Sequence, residues 1–188
     1  MSDTDEAPGN IGNGRRWGLQ LESTIPLEWT GLSGSKIDIS LLWQDSTVID
    51  PVTGNRRVLS GQGGVNAYRS LLGGNNNIRY LVRLKFRQDL EAAKVAWGWA
   101  VAERDRRQLF KVNEFDVHNE GFAIDAFIET TRWKGLKVSL VGDNLLRFDQ
   151  NRYRTFYTGL RGLSSVESQE FRTRFNGRRV TLTVSGSF

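Results

Sequence analysis

Apolar residues recur at every second position through most of this chain, and this pattern restricts the fold more than any other feature of the sequence. Near the end, Val180, Leu182 and Val184 alternate with threonine and serine. Successive side chains of a β-strand point to opposite sides of the sheet, so each such segment predicts a strand with one apolar and one polar face. The pattern predicts seven strands, at residues 16–25, 36–45, 78–87, 95–102, 122–129, 136–143 and 179–188.

The connections between the predicted strands alternate in length. They cover residues 26–35, 46–77, 88–94, 103–121, 130–135 and 144–178, which gives short and long connections in strict turn. If antiparallel strands follow chain order, all long connections lie at one end of the sheet and all short ones at the other. This asymmetry is typical of outer-membrane β-barrels, which have short periplasmic turns and long extracellular loops.

The composition is compatible with membrane strands but not with membrane helices. The longest apolar run covers only residues 95–102, whereas a spanning helix needs about 20 apolar residues. A spanning strand needs only about 9–11 residues with every second one apolar, so the mean hydropathy of -0.44 does not exclude a membrane. The absence of cysteine excludes disulfides and thiolate sites, and the net charge of +5 is too small and too dispersed to predict a nucleic-acid partner.

Five segments resemble the late barrel strands of TonB-dependent outer-membrane receptors; they cover residues 12–22, 45–54, 141–146, 154–162 and 181–188. The resemblance implies an all-β fold, a portion of an antiparallel up-and-down transmembrane β-barrel that supplies the last seven of 22 strands. It covers residues 12–188, after a disordered segment 1–11. It also implies active uptake of a scarce nutrient such as an iron–siderophore complex, cobalamin or an oligosaccharide, with no resident cofactor.

The sequence departs from the receptor pattern in lacking a plug domain, a TonB box and a signal peptide. An open seven-stranded sheet also has two unpaired edges, which lipid does not tolerate. We therefore expect a fragment of a longer or split receptor, not competent for transport alone. The expected partners are the bilayer of the bacterial outer membrane, the barrel-assembly machinery, the missing strands and plug, and the inner-membrane complex that supplies energy through the plug.

The last strand is the first candidate functional segment. By the resemblance, alternate apolar residues that lead to a terminal aromatic are recognised by the barrel-assembly machinery. An unpaired strand can add to an open sheet edge through its backbone, while alternate side chains fill pockets. The matching residues are Val180, Leu182, Val184 and Phe188.

Two sets of basic residues are candidate ligand contacts. The first is a ladder on the polar face of one predicted strand and comprises Arg79, Arg83, Lys85 and Arg87. These cations either attract an anionic substrate along the channel or pair with acids on the polar faces of other strands, such as Asp38, Asp125 and Glu129. The second is expected on long loops that face the medium, where it either forms a solvated surface or contacts an anionic ligand or lipid phosphates. It comprises Arg104, Arg106, Arg107, Arg152, Arg154 and Arg161.

No arrangement of residues predicts catalysis or a metal site. His118 is the only histidine, and we expect it in a solvated loop beside Asp116 and Glu120. The glycine-rich stretches follow no strand-to-helix pattern, so they predict flexible loops and not phosphate-binding turns. The sequence therefore predicts a protein that is not an enzyme.

Two other architectures share the alternating pattern. A soluble β-barrel or sandwich that binds a small apolar ligand would turn the apolar faces inward. A small complete outer-membrane barrel, acting as an adhesin or structural anchor, needs an even number of strands, which requires an eighth strand within residues 147–157. The loop asymmetry and the terminal Phe188 favour the receptor interpretation.

Overall fold

The computed structural model describes residues 11–59, 78–119 and 121–186. Within these ranges the regular elements are β-strands and two short 3-10 turns, without an α-helix. The prediction of an all-β, antiparallel fold is confirmed. The predicted disordered segment 1–11 lies, except for Ile11, outside the described residues.

The described ranges contain twelve strands, numbered in chain order. They are β1 (Gly14–Pro26), β2 (Ser35–Ile49), β3 (Arg56–Arg57), β4 (Tyr80–Leu90), β5 (Val95–Arg104), β6 (Arg107–Phe110), β7 (Glu114–Asn119), β8 (Phe122–Thr130), β9 (Leu136–Asp143), β10 (Gln150–Tyr157), β11 (Val166–Arg174) and β12 (Arg179–Gly186).

The larger sheet, called the main sheet, has the order β1-β2-β4-β5-β8-β9-β12, with β3 paired to the end of β2. All of its neighbouring strands are antiparallel. These seven strands in chain order are the seven that the alternating pattern predicts. Strands β1 and β12 form its two edges.

Four further strands form a second sheet, with the order β11-β10-β7-β6. Strands β6 and β7 lie in the connection between β5 and β8, and β10 and β11 lie in the connection between β9 and β12. The prediction that both connections are loops is wrong for these segments. The four strands lack the apolar stripe that marks the main sheet, because on β7 and β10 charged residues alternate with a mixture of apolar and polar ones. The segment 147–157 does contain a strand, β10, but it pairs with β7 and β11 and not with the main sheet.

The short connections pack against one another at the end of the main sheet opposite the second sheet. Gly34 lies before β2 at φ +67°, and a Cβ at this position would lie 2.4 Å from the carbonyl oxygen of Asp89, at the end of β4. The Gly34 carbonyl in turn accepts a hydrogen bond from the Asp89 amide, at 2.9 Å. Only glycine fits both the left-handed backbone and this close approach.

The hydrophobic core of the described residues is small. Its buried cluster consists of Leu42, Ile78 and Leu81, on the polar face of the main sheet near the long connections. Most large apolar side chains of the main sheet lie on the other face, outside this cluster. The fold therefore does not bury its apolar residues against a second layer, as a sandwich does.

Candidate functional site

One face of the main sheet is apolar across all seven strands, and we call it the apolar face. Residues directly opposite each other on paired strands share a face, and one such row crosses the whole sheet: Ile25, Ile37, Phe86, Trp99, Ala126, Gly142 and Val180. The next row joins Trp97, Ile128, Leu140 and Leu182. The predicted alternation thus aligns its apolar residues into one continuous surface.

Many large side chains of the apolar face are exposed. Leu19 is 70% exposed, Leu182 65% and Ile128 49%. A contiguous exposed apolar surface of this kind is rare on soluble monomers and marks contact with another apolar phase or molecule.

Aromatic side chains cluster on the apolar face near both ends of its strands. Trp17 and Trp43 lie near the long connections, with their rings edge to face at 5.0 Å between centroids. Toward the short connections, Phe86 packs between Trp97 and Trp99, at 5.1 and 5.8 Å. Aromatic residues at two levels, with aliphatic residues between them, are typical of strands that cross a membrane.

The opposite face carries the predicted basic ladder. Arg83, Lys85 and Arg87 lie on β4 and Arg79 just before it, with Lys85 directly opposite Asp38 of β2. The guanidinium of Arg87 donates to Asp89 at 2.8 Å and to Glu129 of β8 at 2.9 Å.

Arg87 reaches Glu129 by passing over β5. The β5 residue opposite Arg87 is Gly98, where a Cβ would lie 2.7 Å from the ring of Phe127. Glu129 also accepts from Lys137 of β9 at 2.7 Å. Pairing with acids of nearby strands therefore accounts for Arg87, and a ligand role for the ladder stays a prediction.

Of the six arginines predicted on outward-facing loops, only Arg106 lies in an exposed turn as predicted. Arg104 ends β5 and Arg107 begins β6, while Arg152 and Arg154 lie on β10. Arg161 does lie in a turn, but it is buried at 8% exposure. The prediction of an outward-facing loop position is wrong for these five, because β5 extends through Arg104 and much of the long connections folds into the second sheet. Ligand contact by these residues remains untested.

Buried carboxylates hold the two arginines of β10. Arg152 donates to Asp116 of β7, with the shortest contact at 2.6 Å, and Arg154 donates to Glu114 at 2.5 Å. Asp116 is fully buried and Glu114 nearly so. Burial alone would raise the pKa of Asp116, but the Arg152 guanidinium and the neighbouring His118 outweigh it and hold that pKa below its ordinary value. The carboxylate thus stays charged and keeps β7 and β10 together.

His118 lies on β7 and not in a solvated loop as predicted. Its Nε2 atom is 3.1 Å from Asp116 Oδ2, and its side chain is only 23% exposed. Burial lowers the pKa of His118, Asp116 opposes this effect, and the nearby cations Arg107 and Arg152 support it. The ring is therefore neutral at pH 7.

We expect the pKa of His118 to lie below the ordinary value near 6.5. Because the pKa of His118 is lower in the folded state than in the unfolded state, protonation favours the unfolded state. The free energy of unfolding therefore falls as the pH drops from the unfolded-state pKa toward the folded-state pKa. As the chain has one histidine, its ring resonances in an NMR titration are unambiguous. The same chain in denaturant is the control, and an equal or higher pKa in the folded state would contradict the assigned burial.

A buried junction joins all three long connections. Asp50 directly follows β2 and is only 1% exposed. Its carboxylate binds Arg57 at 2.6 Å and also Arg161, which lies between β10 and β11. Arg161 Nε donates to the carbonyl of Lys111, between β6 and β7, at 2.9 Å. Both guanidiniums lie over the ring of Phe110, at 4.7 and 5.1 Å from its centroid. We call Asp50, Arg57, Phe110 and Arg161 the junction.

The environment of Asp50 keeps its carboxylate charged. Burial acts to raise its pKa, but hydrogen bonds from Arg161, from the backbone amides of Val52 and Thr53, and from Arg57 lower the pKa to about 2. The two amides donate to Asp50 Oδ1 at 2.8 and 3.1 Å and close a turn. Sequence reasoning missed the junction, although the Asp50-Pro51 pair and Gly54 are a turn signal. No feature of the sequence near Asp50 predicts its pairing with Arg161, which lies 111 positions away.

The predicted assembly segment lies at the edge of the main sheet. Val180, Leu182 and Val184 project from the apolar face of β12, which pairs with β9 on one side only. Phe188 lies outside the described residues. An assembly role for these residues stays a prediction.

No cluster of histidine and carboxylate residues within the described ranges is arranged to hold a metal ion. No helix in the part of the chain that the structure describes is long and apolar enough to cross a bilayer. Comparison with protein-family models, with curated proteins and with solved structures gives no match to this chain.

Proposed function

We propose that the main sheet is a section of a transmembrane β-barrel in a bacterial outer membrane, comparable to the last strands of a TonB-dependent receptor. The observation that carries this proposal is the apolar face, which crosses seven strands and leaves residues such as Leu19 and Leu182 largely exposed. Lipid hydrocarbon is the phase that matches a surface of this extent. The opposite face, with Arg87, Glu129 and Lys137, then lines a watery interior.

The distribution of exposed residues favours a membrane over the soluble alternatives. In a soluble barrel or sandwich the apolar face would form the core and the charged face would meet water. Here many large residues of the apolar face are exposed, although Phe86 is buried, while the buried cluster of Leu42, Ile78 and Leu81 lies on the other face.

The number of strands in the main sheet determines what can complete the barrel. Antiparallel strands alternate in direction, so the first and seventh strands, β1 and β12, run the same way. Pairing β12 with β1, or with β1 of a second copy, would create a parallel seam. A closed, fully antiparallel barrel therefore needs an odd number of further strands between β12 and β1, which we propose are the earlier strands of the same receptor.

The long connections are proposed to lie on the extracellular side. Ion pairs such as Arg152–Asp116 and the junction order them into one layer. In an uptake receptor, that layer would form the outer entrance for a scarce nutrient, and a plug in the completed barrel would couple transport to the inner membrane. The last strand, with Val180, Leu182 and Val184 at an open edge, is proposed to engage the barrel-assembly machinery.

The requirement for an amphiphile tests the proposal. We expect the purified chain to aggregate in buffer and to gain β-sheet circular dichroism and a single sedimenting species in micelles of lauryldimethylamine oxide. The exposed apolar face has no partner in water but is covered by detergent. Folding is judged by circular dichroism and size by analytical ultracentrifugation in both solutions. A folded monomer in detergent-free buffer would refute the membrane assignment.

A further inference from the structure

The two faces of the second sheet differ sharply in charge. One face carries the ion pairs, with Arg107, His118, Arg152 and Arg172 in one row and Leu109, Asp116, Arg154 and Glu170 in the next. On the other, the rows of paired residues contain no charged side chain, although Glu167 lies at the register irregularity beside Tyr157 and the guanidiniums of Arg57 and Arg161 lie over Phe110 at the β6 edge. These rows are Gln108, Val117, Tyr153 and Phe171, then Phe110, Phe115, Thr155 and Gln169, then Asn119, Asn151 and Thr173. We call this the neutral face. A quarter of the chain is charged, so an uncharged surface drawn from four strands is a distinct feature.

Two aromatic rings dominate the exposed part of the neutral face. Tyr153 and Phe171 are 50% and 60% exposed although they lie directly opposite each other on β10 and β11. Their centroids are 4.7 Å apart with an angle of 33° between the planes. Each ring supports its neighbour, so both stay in place without being covered. The pair forms an aromatic platform wider than a single ring.

Neutral hydrogen-bonding groups surround this platform. Asn151 and Thr173 lie in the row on one side, Thr155 and Gln169 in the row on the other. Thr173 Oγ1 donates to Asn151 Oδ1 at 3.0 Å, which fixes the amide and directs its two N–H donors elsewhere. The platform is therefore apolar at its centre and able to donate and accept hydrogen bonds at its margins.

We propose that the neutral face binds a neutral oligosaccharide. A pyranose ring has an apolar C–H face that stacks on an aromatic ring, and hydroxyl groups at its margin that pair with amides and hydroxyls; this matches the platform and its surroundings. Lipid hydrocarbon would leave the amide groups without partners. An anionic ligand would find no cation in the paired rows around the platform, since the guanidiniums of Arg57 and Arg161 lie over Phe110, at the β6 edge of this face. The inference rests on the proposed function and names the class of nutrient for the layer proposed as its outer entrance; a chain that folds only in detergent but binds no neutral sugar would overturn the inference and leave the membrane proposal standing.

Titration with defined sugars tests the inference. The full chain is folded in lauryldimethylamine oxide, a detergent without a sugar group, and titrated with neutral hexasaccharides of glucose, xylose, mannose and N-acetylglucosamine. Hexagalacturonate is the acidic comparison. Saturation-transfer NMR identifies binding, and isothermal titration calorimetry gives the dissociation constant. We expect at least one neutral hexasaccharide to bind, and to bind more tightly than hexagalacturonate.

Substitutions then locate the binding surface. Combining Tyr153→Ala with Phe171→Ala should weaken binding at least about tenfold, the loss that removal of a stacking platform produces. Trp133→Ala, at an exposed aromatic residue in the short connection before β9, is the matched control and should leave the dissociation constant unchanged. If the alanine variant loses its β-sheet spectrum, Tyr153→Leu replaces it with the same expectation, since leucine keeps apolar volume but has no ring. Absence of binding by every neutral sugar, tighter binding of hexagalacturonate, or an unchanged affinity without the rings would each overturn the inference.

Discussion

Asp50→Asn is expected to destabilise the layer of long connections by about 3–5 kcal/mol, the usual effect of removing one partner from a buried ion pair. Asparagine can still accept the amide hydrogen bonds of Val52 and Thr53, so the turn is kept while the charge is lost. Arg57 and Arg161, whose side chains are 10% and 9% exposed, then face each other without a shared anion.

Hydrogen exchange followed by mass spectrometry measures this effect locally. The amides of Tyr157 and Arg161 bond to the carbonyls of Asn113 and Val112, so they report whether the long connections stay together. Peptides that cover residues 150–163 should exchange at least about a hundredfold faster in Asp50→Asn, as a loss of about 3 kcal/mol requires. Asp45→Asn is the control: Asp45 is 46% exposed and 4.0 Å from Arg79, so its loss should change little. Equal exchange in the two variants would show that the junction does not hold the layer together.

Leu182→Arg and Leu140→Arg are each expected to lower the free energy of unfolding by about 2–4 kcal/mol, the cost of a cation on the lipid side of an outer-membrane strand near the bilayer centre. The two leucines face each other on the edge strand β12 and its neighbour β9, midway along both strands on the apolar face. Leu182 is 65% exposed and Leu140 43%. If this face were in water, each substitution would lower the free energy of unfolding by less than about 0.5 kcal/mol.

Neighbouring residues on the opposite face supply the matched controls. Ser139 and Thr183 are also paired across β9 and β12, and arginine at either position would meet the polar side of the sheet. Denaturant titration in micelles of lauryldimethylamine oxide, in which the chain is expected to fold, should therefore separate Leu140→Arg and Leu182→Arg from Ser139→Arg and Thr183→Arg by about 2 kcal/mol or more. Similar values for all four variants would place both faces in the same environment.

The main sheet could be predicted from the sequence because its signal is local and repeated. In β12, Val180, Leu182 and Val184 alternate with threonine and serine, and seven segments of this kind give both the strand number and the shared face. The second sheet carries no such signal. On β10, Arg152 and Arg154 alternate with Tyr153 and Thr155, so neither face is a plain apolar stripe.

The contacts that organise the long connections join residues far apart in the sequence. Asp50 and Arg161 are separated by 111 positions, and Arg152 and Asp116 by 36. Charge pairing of this kind depends on which connections meet in space, and composition records only that arginines and acids are both present. The sequence therefore predicts solvent-facing positions for these arginines, whereas Arg152, Arg154 and Arg161 bind buried carboxylates.

Accessibility along a single strand is the most direct test of the membrane assignment. The chain has no cysteine, so each residue of β9 from 136 to 143 can be replaced by cysteine and spin-labelled without background. In micelles of lauryldimethylamine oxide, in which the chain is expected to fold, we predict that labels at Leu136, Val138 and Leu140 collide mainly with oxygen, which concentrates in hydrocarbon, and those at Lys137, Ser139 and Val141 with a water-soluble nickel chelate. If oxygen access and nickel access alternate at every second residue, with oxygen favoured at Leu136, Val138 and Leu140, the result supports lipid contact of the apolar face. Equal access of the nickel chelate at every position would contradict it.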